Sequence, residues 1–163
     1  MTEVPIPNEG PQKVPVLTGA LRDKTKLEVS QLLKAPRWRA LAGDEIVRED
    51  EELQRTAREM QLDYGNLVHA FQNAQLEELS DTDWTRMENT DSIGDWTKDE
   101  VIENIGSNRD HARIFHGIEN GEDMPAPIVL FRNGESPYLI GGNTRLMACK
   151  ALGIRPVVLA IHM

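Results

Sequence analysis

Tyr138-Leu-Ile-Gly-Gly-Asn-Thr-Arg-Leu-Met-Ala-Cys-Lys-Ala-Leu-Gly-Ile-Arg-Pro-Val-Val-Leu-Ala-Ile161 reads as a strand, a glycine turn, a short helix and a second strand. The turn puts Gly141, Gly142, Asn143, Thr144 and Arg145 at a helix N-terminus. There the first backbone N–H groups lack intrahelical partners and the helix dipole is positive, which suits a phosphate or another small anion. Arg145, in the first turn, has a planar guanidinium that can grip two phosphate oxygens, and Thr144 can add a hydroxyl. Gly141 and Gly142 permit positive φ and close approach of a ligand. A glycine turn followed by Asn or Thr is also an ordinary way to begin a helix, so the motif alone leaves both readings open.

Upstream of this stretch, Pro125 and Pro127 bracket the entry to a strand over Ile128–Phe131, and Arg132-Asn-Gly-Glu135 makes a hairpin turn into Tyr138–Ile140. Thr97-Lys-Asp-Glu100 has the form of a capping box opening a helix to Ile105, stopped by Gly106. Asp110 then caps a helix to Asn120, with Ile114, Phe115 and Ile118 as its buried side. Between Ser80 and Trp96 lies a polar run expected to form an ordered loop, with Trp84 and Trp96 as its anchors.

The first half reads as mostly helical. Leu27, Val29, Leu32 and Leu33 form one stripe ended by Pro36, and Trp38 with Leu41 offers a packing patch. One polar helix is expected from Asp44 to about Gln61, its acids and arginines outward, and another over Asp63–Leu79. The expected division is an extended arm over residues 1–20, a helical subdomain over 21–94, and a domain over 95–163 built on a small mixed sheet with helices. The fold class is therefore α+β.

Composition narrows the function. Eighteen Lys plus Arg against 27 Asp plus Glu, a formal charge of −9, repels a nucleic-acid backbone unless the basic residues gather on one face. For that face Arg109, Arg113, Arg145, Lys150 and Arg155 are the candidates. One cysteine, Cys149, excludes an intramolecular disulfide and a thiolate zinc cage, and its place inside a helix suits a small buried thiol. His69, His111, His116 and His162 are scattered without metal-pair spacing. No apolar run approaches the roughly 20 residues that span a bilayer, so a cytoplasmic protein without a membrane partner is expected.

Together, Pro125-Ala-Pro-Ile-Val-Leu-Phe131, Tyr138-Leu-Ile-Gly-Gly-Asn-Thr-Arg145, Met147-Ala-Cys-Lys-Ala-Leu-Gly153 and Pro156-Val-Val158 resemble the ParB/sulfiredoxin superfamily. The resemblance covers about Asp95 to Ile161. It implies a small sheet whose glycine turn cradles the phosphates of ATP, CTP or ADP, in proteins ranging from sulfinic-acid reductases and free-serine kinases to partition proteins and ParB-like nucleases of phage or plasmid type.

Departures from each branch sharpen the expectation. Sulfiredoxins carry Gly-Gly-Cys-His-Arg, and Asn143 stands at their nucleophile, so sulfinic-acid reduction is not expected. Serine-kinase-like members carry Asp-Gly-His-Thr-Arg, and Gly141 stands at their acid, while Thr144 and Arg145 match. Partition proteins continue into a helix-turn-helix module, whereas this chain ends at Met163, immediately after the last strand expected over Val157–Ile161, so a plasmid-partition role is not expected.

The resemblance also implies an upstream arginine, matched to Arg109 in Ser107-Asn-Arg-Asp110, with Arg113 as the alternative. Because phosphoryl transfer needs an acid or a metal near the phosphate, Glu88, Asp91 and Asp95 are the candidate catalytic carboxylates. They have the alternative role of capping turns.

The expectation is a nucleotide-binding protein, using a triphosphate or diphosphate with Mg²⁺, that transfers or hydrolyses a phosphoryl group. The alternatives are a DNA-binding protein or metal-dependent nuclease, and an inactive regulator whose acidic helical half binds a protein partner.

Overall fold

The computed structural model describes residues 37–105 and 111–163. The expected arm, the Leu27–Leu33 stripe, Gly106, Asp110 and Arg109 lie outside these residues. The described elements are β1 (Arg37–Arg39), α1 (Asp44–Arg48), α2 (Asp50–Glu59), α3 (Tyr64–Gln72), β2 (Gln75–Glu78), α4 (Asp81–Arg86), α5 (Lys98–Ile105), α6 (His111–Glu119), β3 (Asp123–Pro125), β4 (Ile128–Phe131), β5 (Tyr138–Gly141), α7 (Asn143–Leu152) and β6 (Val157–His162). The class is α+β, and no described helix is long and apolar enough to cross a membrane.

A four-stranded mixed sheet has the order β2-β6-β4-β5. β4 and β5 form an antiparallel hairpin, α7 carries the chain across to β6, and β6 runs parallel to β4 and antiparallel to β2. Side chains alternate across a strand, so each strand feeds two cores. Val129, Leu139, Val158 and Ala160 pack with Phe115, Leu146, Met147 and Cys149 of α6 and α7 on one face. Ile128, Leu130, Ile140, Leu159 and Ile161 pack with Leu53, Ala57, Leu67 and Phe71 of α2 and α3 on the other. The near-continuous apolar runs of β4 and β6 reflect burial on both faces.

The helix expected over Asp63–Leu79 is corrected by this sheet. Asp63 caps α3, accepting from the Asn66 N–H at 2.9 Å, but the helix ends at Gln72 and Gln75–Glu78 becomes a strand paired with Val157–Ala160. A polar Gln-Leu-Glu-Glu segment has weak intrinsic strand preference, and it forms β2 because β6 offers an open row of backbone partners. The sheet thus takes strands from both sides of residue 95.

The single helix expected from Asp44 to Gln61 is two, α1 and α2, with Glu49 as the joint at φ −83° and ψ −5°. The expected loop over Ser80–Trp96 contains α4, which Ser80 caps through the Asp83 N–H at 3.1 Å. The capping box of α5 is present reciprocally, the Thr97 N–H donating to Glu100 at 2.9 Å and the Glu100 N–H to Thr97 Oγ1 at 3.2 Å. A second sheet pairs β1 with β3 in parallel, reinforced by Arg37 on Asp123 at 2.9 Å. This pairing brings the start of α1 beside β3 and the N-terminus of α7.

Candidate functional site

Gly142 is the N-cap of α7 and sits at φ +104°, in the left-handed region that disfavours side chains. A Cβ there would also lie 2.7 Å from the Cα and Cβ of Pro127 and 3.1 Å from Arg145 Nη2, so the guanidinium folds back over the glycine. At the far end Gly153, φ +68°, closes the helix, with the Ile154 N–H donating to the Cys149 carbonyl at 2.9 Å and the Gly153 N–H to Lys150 at 3.3 Å. Both ends of α7 are thereby fixed by glycines legible in the sequence.

The N-terminus of α7 opens on a cavity of about 460 Å³ to which α1 and its approach contribute Arg39, Leu41, Glu45, Arg48 and Glu49. Arg113 and Ile114 come from α6, Glu122 to Pro125 from β3 and the segment before it, and Gly142 to Arg145 from the turn. Four arginines therefore face four carboxylates in a chain whose net charge is −9. Thr144 lines the cavity while being only 6 % exposed.

Two of the four lining acids are paired with arginines. Glu45 accepts two hydrogen bonds from Arg39, at 2.7 and 2.8 Å, which hold its carboxyl down at about 2. Asp123 pairs with Arg37, and Glu122 lies 3.3 Å from His116 Nε2. Glu49 differs. Its Oε1 is shut away from water and accepts no hydrogen bond among the described residues. Burial pushes its carboxyl above the usual range, opposed chiefly by the charge of Arg145. Burial in turn pushes the Arg145 guanidinium down, opposed by Glu49 and then Glu45.

Room for Glu49 comes from Gly141. A Cβ at 141 would stand 2.5 Å from Glu49 Oε1, so the carboxylate fills the space a side chain there would need. Nothing in the sequence marks Glu49 among Glu49-Asp50-Glu51-Glu52, all of which the helical pattern turns outward. Only the turn of the chain at the α1–α2 joint aims this one inward.

The sequence-selected acids lie elsewhere. Glu88 and Asp95 are exposed, and neither they nor Asp91 line the cavity. Asp91 is fastened to the turn through Asn143, whose Oδ1 accepts from the Asp91 N–H at 3.0 Å and from Thr90 Oγ1 at 2.6 Å, and whose Nδ2 donates to Asp91 Oδ2 at 3.0 Å. The same loop is held by both tryptophans, Trp84 Nε1 donating to Ser92 Oγ at 2.7 Å and Trp96 Nε1 to the Asp91 carbonyl at 2.6 Å. Asn89 exchanges two hydrogen bonds with Leu139 of β5, at 2.7 and 2.8 Å. Asn143 therefore spends its amide on the loop, backing the turn.

Of the residues considered for a basic face, Arg113 and Arg145 share the cavity. Lys150 lies over the Trp84 ring, 5.4 Å from its centroid, and Arg155 bonds to Asp81 at 3.0 Å. Cys149 is fully buried, and its thiol is pushed up to about 12, which leaves it without nucleophilic thiolate at neutral pH.

Among the described residues no group of three or more His, Cys, Asp or Glu side chains gathers as a metal site. A Mg²⁺ ion that enters with a nucleotide is held mainly by phosphates and water and asks for only one or two protein carboxylates. Compared with protein-family models, with curated proteins and with solved structures, the chain matches none.

Proposed function

We propose that this chain binds the phosphates of a nucleotide in the cavity at the N-terminus of α7 and acts as a phosphoryl-transfer or nucleotide-hydrolysing protein of ParB/sulfiredoxin type. The observation that carries the reading is Arg145 folded over the glycine turn at the N-terminus of α7, in a cavity that Arg48 and Arg113 also line and where Arg39 is bonded to Glu45. A guanidinium placed where the backbone N–H groups of a helix N-terminus also point favours an anionic over a neutral ligand. Arg145 and the turn would hold one phosphate, and Arg48 and Arg113 lie across the cavity for the rest.

For the chemistry, Glu49 takes the place sought for Glu88, Asp91 or Asp95. A carboxylate whose affinity for a proton is raised by burial suits proton acceptance from an attacking hydroxyl or water. Mg²⁺, when bound with the nucleotide, would neutralise phosphate charge and be held mainly by the phosphates and water.

Calorimetric titration with ATP, ADP and CTP, each with and without Mg²⁺, tests the reading. Saturable binding of at least one nucleotide that is lost in Arg145→Ala is the expected result. No binding by any of them would sink it. Binding of duplex DNA that weakens steeply with salt, without nucleotide binding, would favour the nuclease alternative instead.

A further inference from the structure

We propose that the outer edge of β2 is a docking site for an extended, lysine- or arginine-bearing segment of a partner protein, which joins the sheet there as a further strand. The inference is independent of the cavity at α7 and of any nucleotide.

The backbone of β2 supplies the docking row. The Leu79 N–H donates to the Pro156 carbonyl at 3.0 Å, and the register runs Glu78 to Val157, Glu77 to Val158, Leu76 to Leu159 and Gln75 to Ala160. Antiparallel partners alternate between hydrogen-bonded and non-hydrogen-bonded pairs, so Gln75 and Glu77 bond to β6 while the N–H and C=O groups of Leu76 and Glu78 point away from it. The Leu159 N–H agrees, because it donates away from β2, to the Pro127 carbonyl at 2.7 Å. Among the described residues none answers the outward groups of Leu76 and Glu78. At the opposite edge of the sheet the Asn89 amide takes up both the N–H and the carbonyl of Leu139 on β5, at 2.8 and 2.7 Å. One edge is thus closed by a side chain and the other left open, the condition in which an extended chain adds to a sheet.

Charge selects the occupant. All of β2 is exposed, and Leu76 keeps 42 % of its surface in water. From Glu59 to Thr85 the chain carries no lysine or arginine, and it puts Glu77 and Glu78 on the strand itself. Arg155, just before β6, is bonded to Asp81 at 3.0 Å, and Glu77 has His162 at 2.7 Å. Glu78 has no cationic partner among the described residues. A cation on an incoming strand opposite these carboxylates is favourable, as cross-strand pairs of opposite charge are. A second copy of the chain meets the reverse. Antiparallel pairing through both outward residues of each copy sets the two Glu77 carboxylates opposite each other, which is destabilising. The acids therefore guard the edge against the chain itself and admit a basic one. Because side chains alternate along a strand, the fitting segment has an apolar residue beside Leu76 and basic residues beside Glu77 and Glu78.

The test is a titration of the full chain, at fixed ionic strength, with a short capped peptide of alternating lysine and valine and with its glutamate and valine counterpart. The lysine peptide should bind saturably, at least about tenfold more tightly than the glutamate peptide. It should also slow amide hydrogen exchange at Leu76 and Glu78. Leu76→Pro deletes an outward N–H without touching a bond to β6, and should weaken binding by about fivefold, the scale of one hydrogen bond. A thermal melt checks that this variant is folded. The double variant Glu77→Lys with Glu78→Lys keeps the backbone row and should reverse the preference between the two peptides, which a purely structural β2 would not do. No binding of the lysine peptide overturns the inference. So does binding that leaves exchange at Leu76 and Glu78 unchanged, since that is attraction to an acidic surface elsewhere. Protection of both amides before any peptide is added also overturns it, in a monomer or a dimer, because the edge is then already occupied. The nucleotide reading is untouched by each of these outcomes.

Discussion

The carboxylate of Glu49 stands where a side chain at position 141 would have to go: Oε1 lies 2.5 Å from the place of a Cβ on Gly141. Gly141 does not have positive φ, so its lack of a side chain serves space rather than backbone conformation. Gly141→Ala should therefore displace the Glu49 carboxyl group, the far end of a flexible side chain, at a modest cost of about 0.5–1.5 kcal/mol in the natural chain. In a Glu49→Ala background the same change should be nearly neutral. Urea denaturation of the four proteins of this cycle measures the coupling, and additive effects would show that the two residues do not compete for the same space.

Arg145 folds over Gly142 at the head of α7. Arg145→Ala should weaken phosphate and nucleotide binding by about 10- to 100-fold, the range for a hydrogen bond to a charged group. Arg145→Lys should recover little of it, because an ammonium cannot reproduce the two-pronged guanidinium contact. Isothermal titration of both variants checks the order.

The Asn143 amide ties the turn to the Thr90–Asp91 loop with three hydrogen bonds, at 2.6, 3.0 and 3.0 Å. Asn143→Ala leaves the Asp91 N–H and Thr90 without that partner and should cost about 1–3 kcal/mol. Asp91→Asn keeps the loop's backbone contact with Asn143 and should cost less. If Asp91→Asn instead abolished turnover without lowering the melting temperature, Asp91 would be catalytic rather than structural.

The Glu45 and Arg39 pair gives a pH dependence. Glu45 has its carboxyl lowered from 4.5 to about 2, so the stability it contributes is fully present above 4.5 and is lost as pH falls toward 2. Being partly exposed, the pair is worth only about 0.2–1 kcal/mol. Melting curves between these limits should show a smaller acid-dependent loss in Glu45→Gln than in the natural chain.

Cys149 should resist iodoacetamide in the native state and react only on unfolding, because burial raises its thiol to about 12 and covers it completely. Mass spectrometry of native and urea-unfolded samples distinguishes the two. Rapid labelling of the folded chain would place the thiol at the surface.

Local signals carried the C-terminal elements and failed where pairing decided the outcome. The glycines flanking α7, the capping box at Thr97 and Glu100 and the apolar β4 run act over a few residues, so their structures follow from neighbours in the chain. β2 was not legible, since Gln75–Glu78 has the composition of a helix surface and becomes a strand only because β6 is beside it. The two tryptophans flanking the polar loop were readable as its anchors, and both donate into it.

The sequence by itself determined the glycine turn, the helix it opens and the presence of Arg145 and Thr144 there, because backbone conformation and helix ends are local properties. The tertiary structure alone decided which acid meets that turn. Four successive acids run from the α1–α2 joint into the first turn of α2, and nothing in their order distinguishes Glu49. The α1–α2 joint and the β1–β3 pairing bring its carboxylate into the space that Gly141 leaves open. Charge and burial at a site depend on which distant segments meet, and that meeting is a property of the fold.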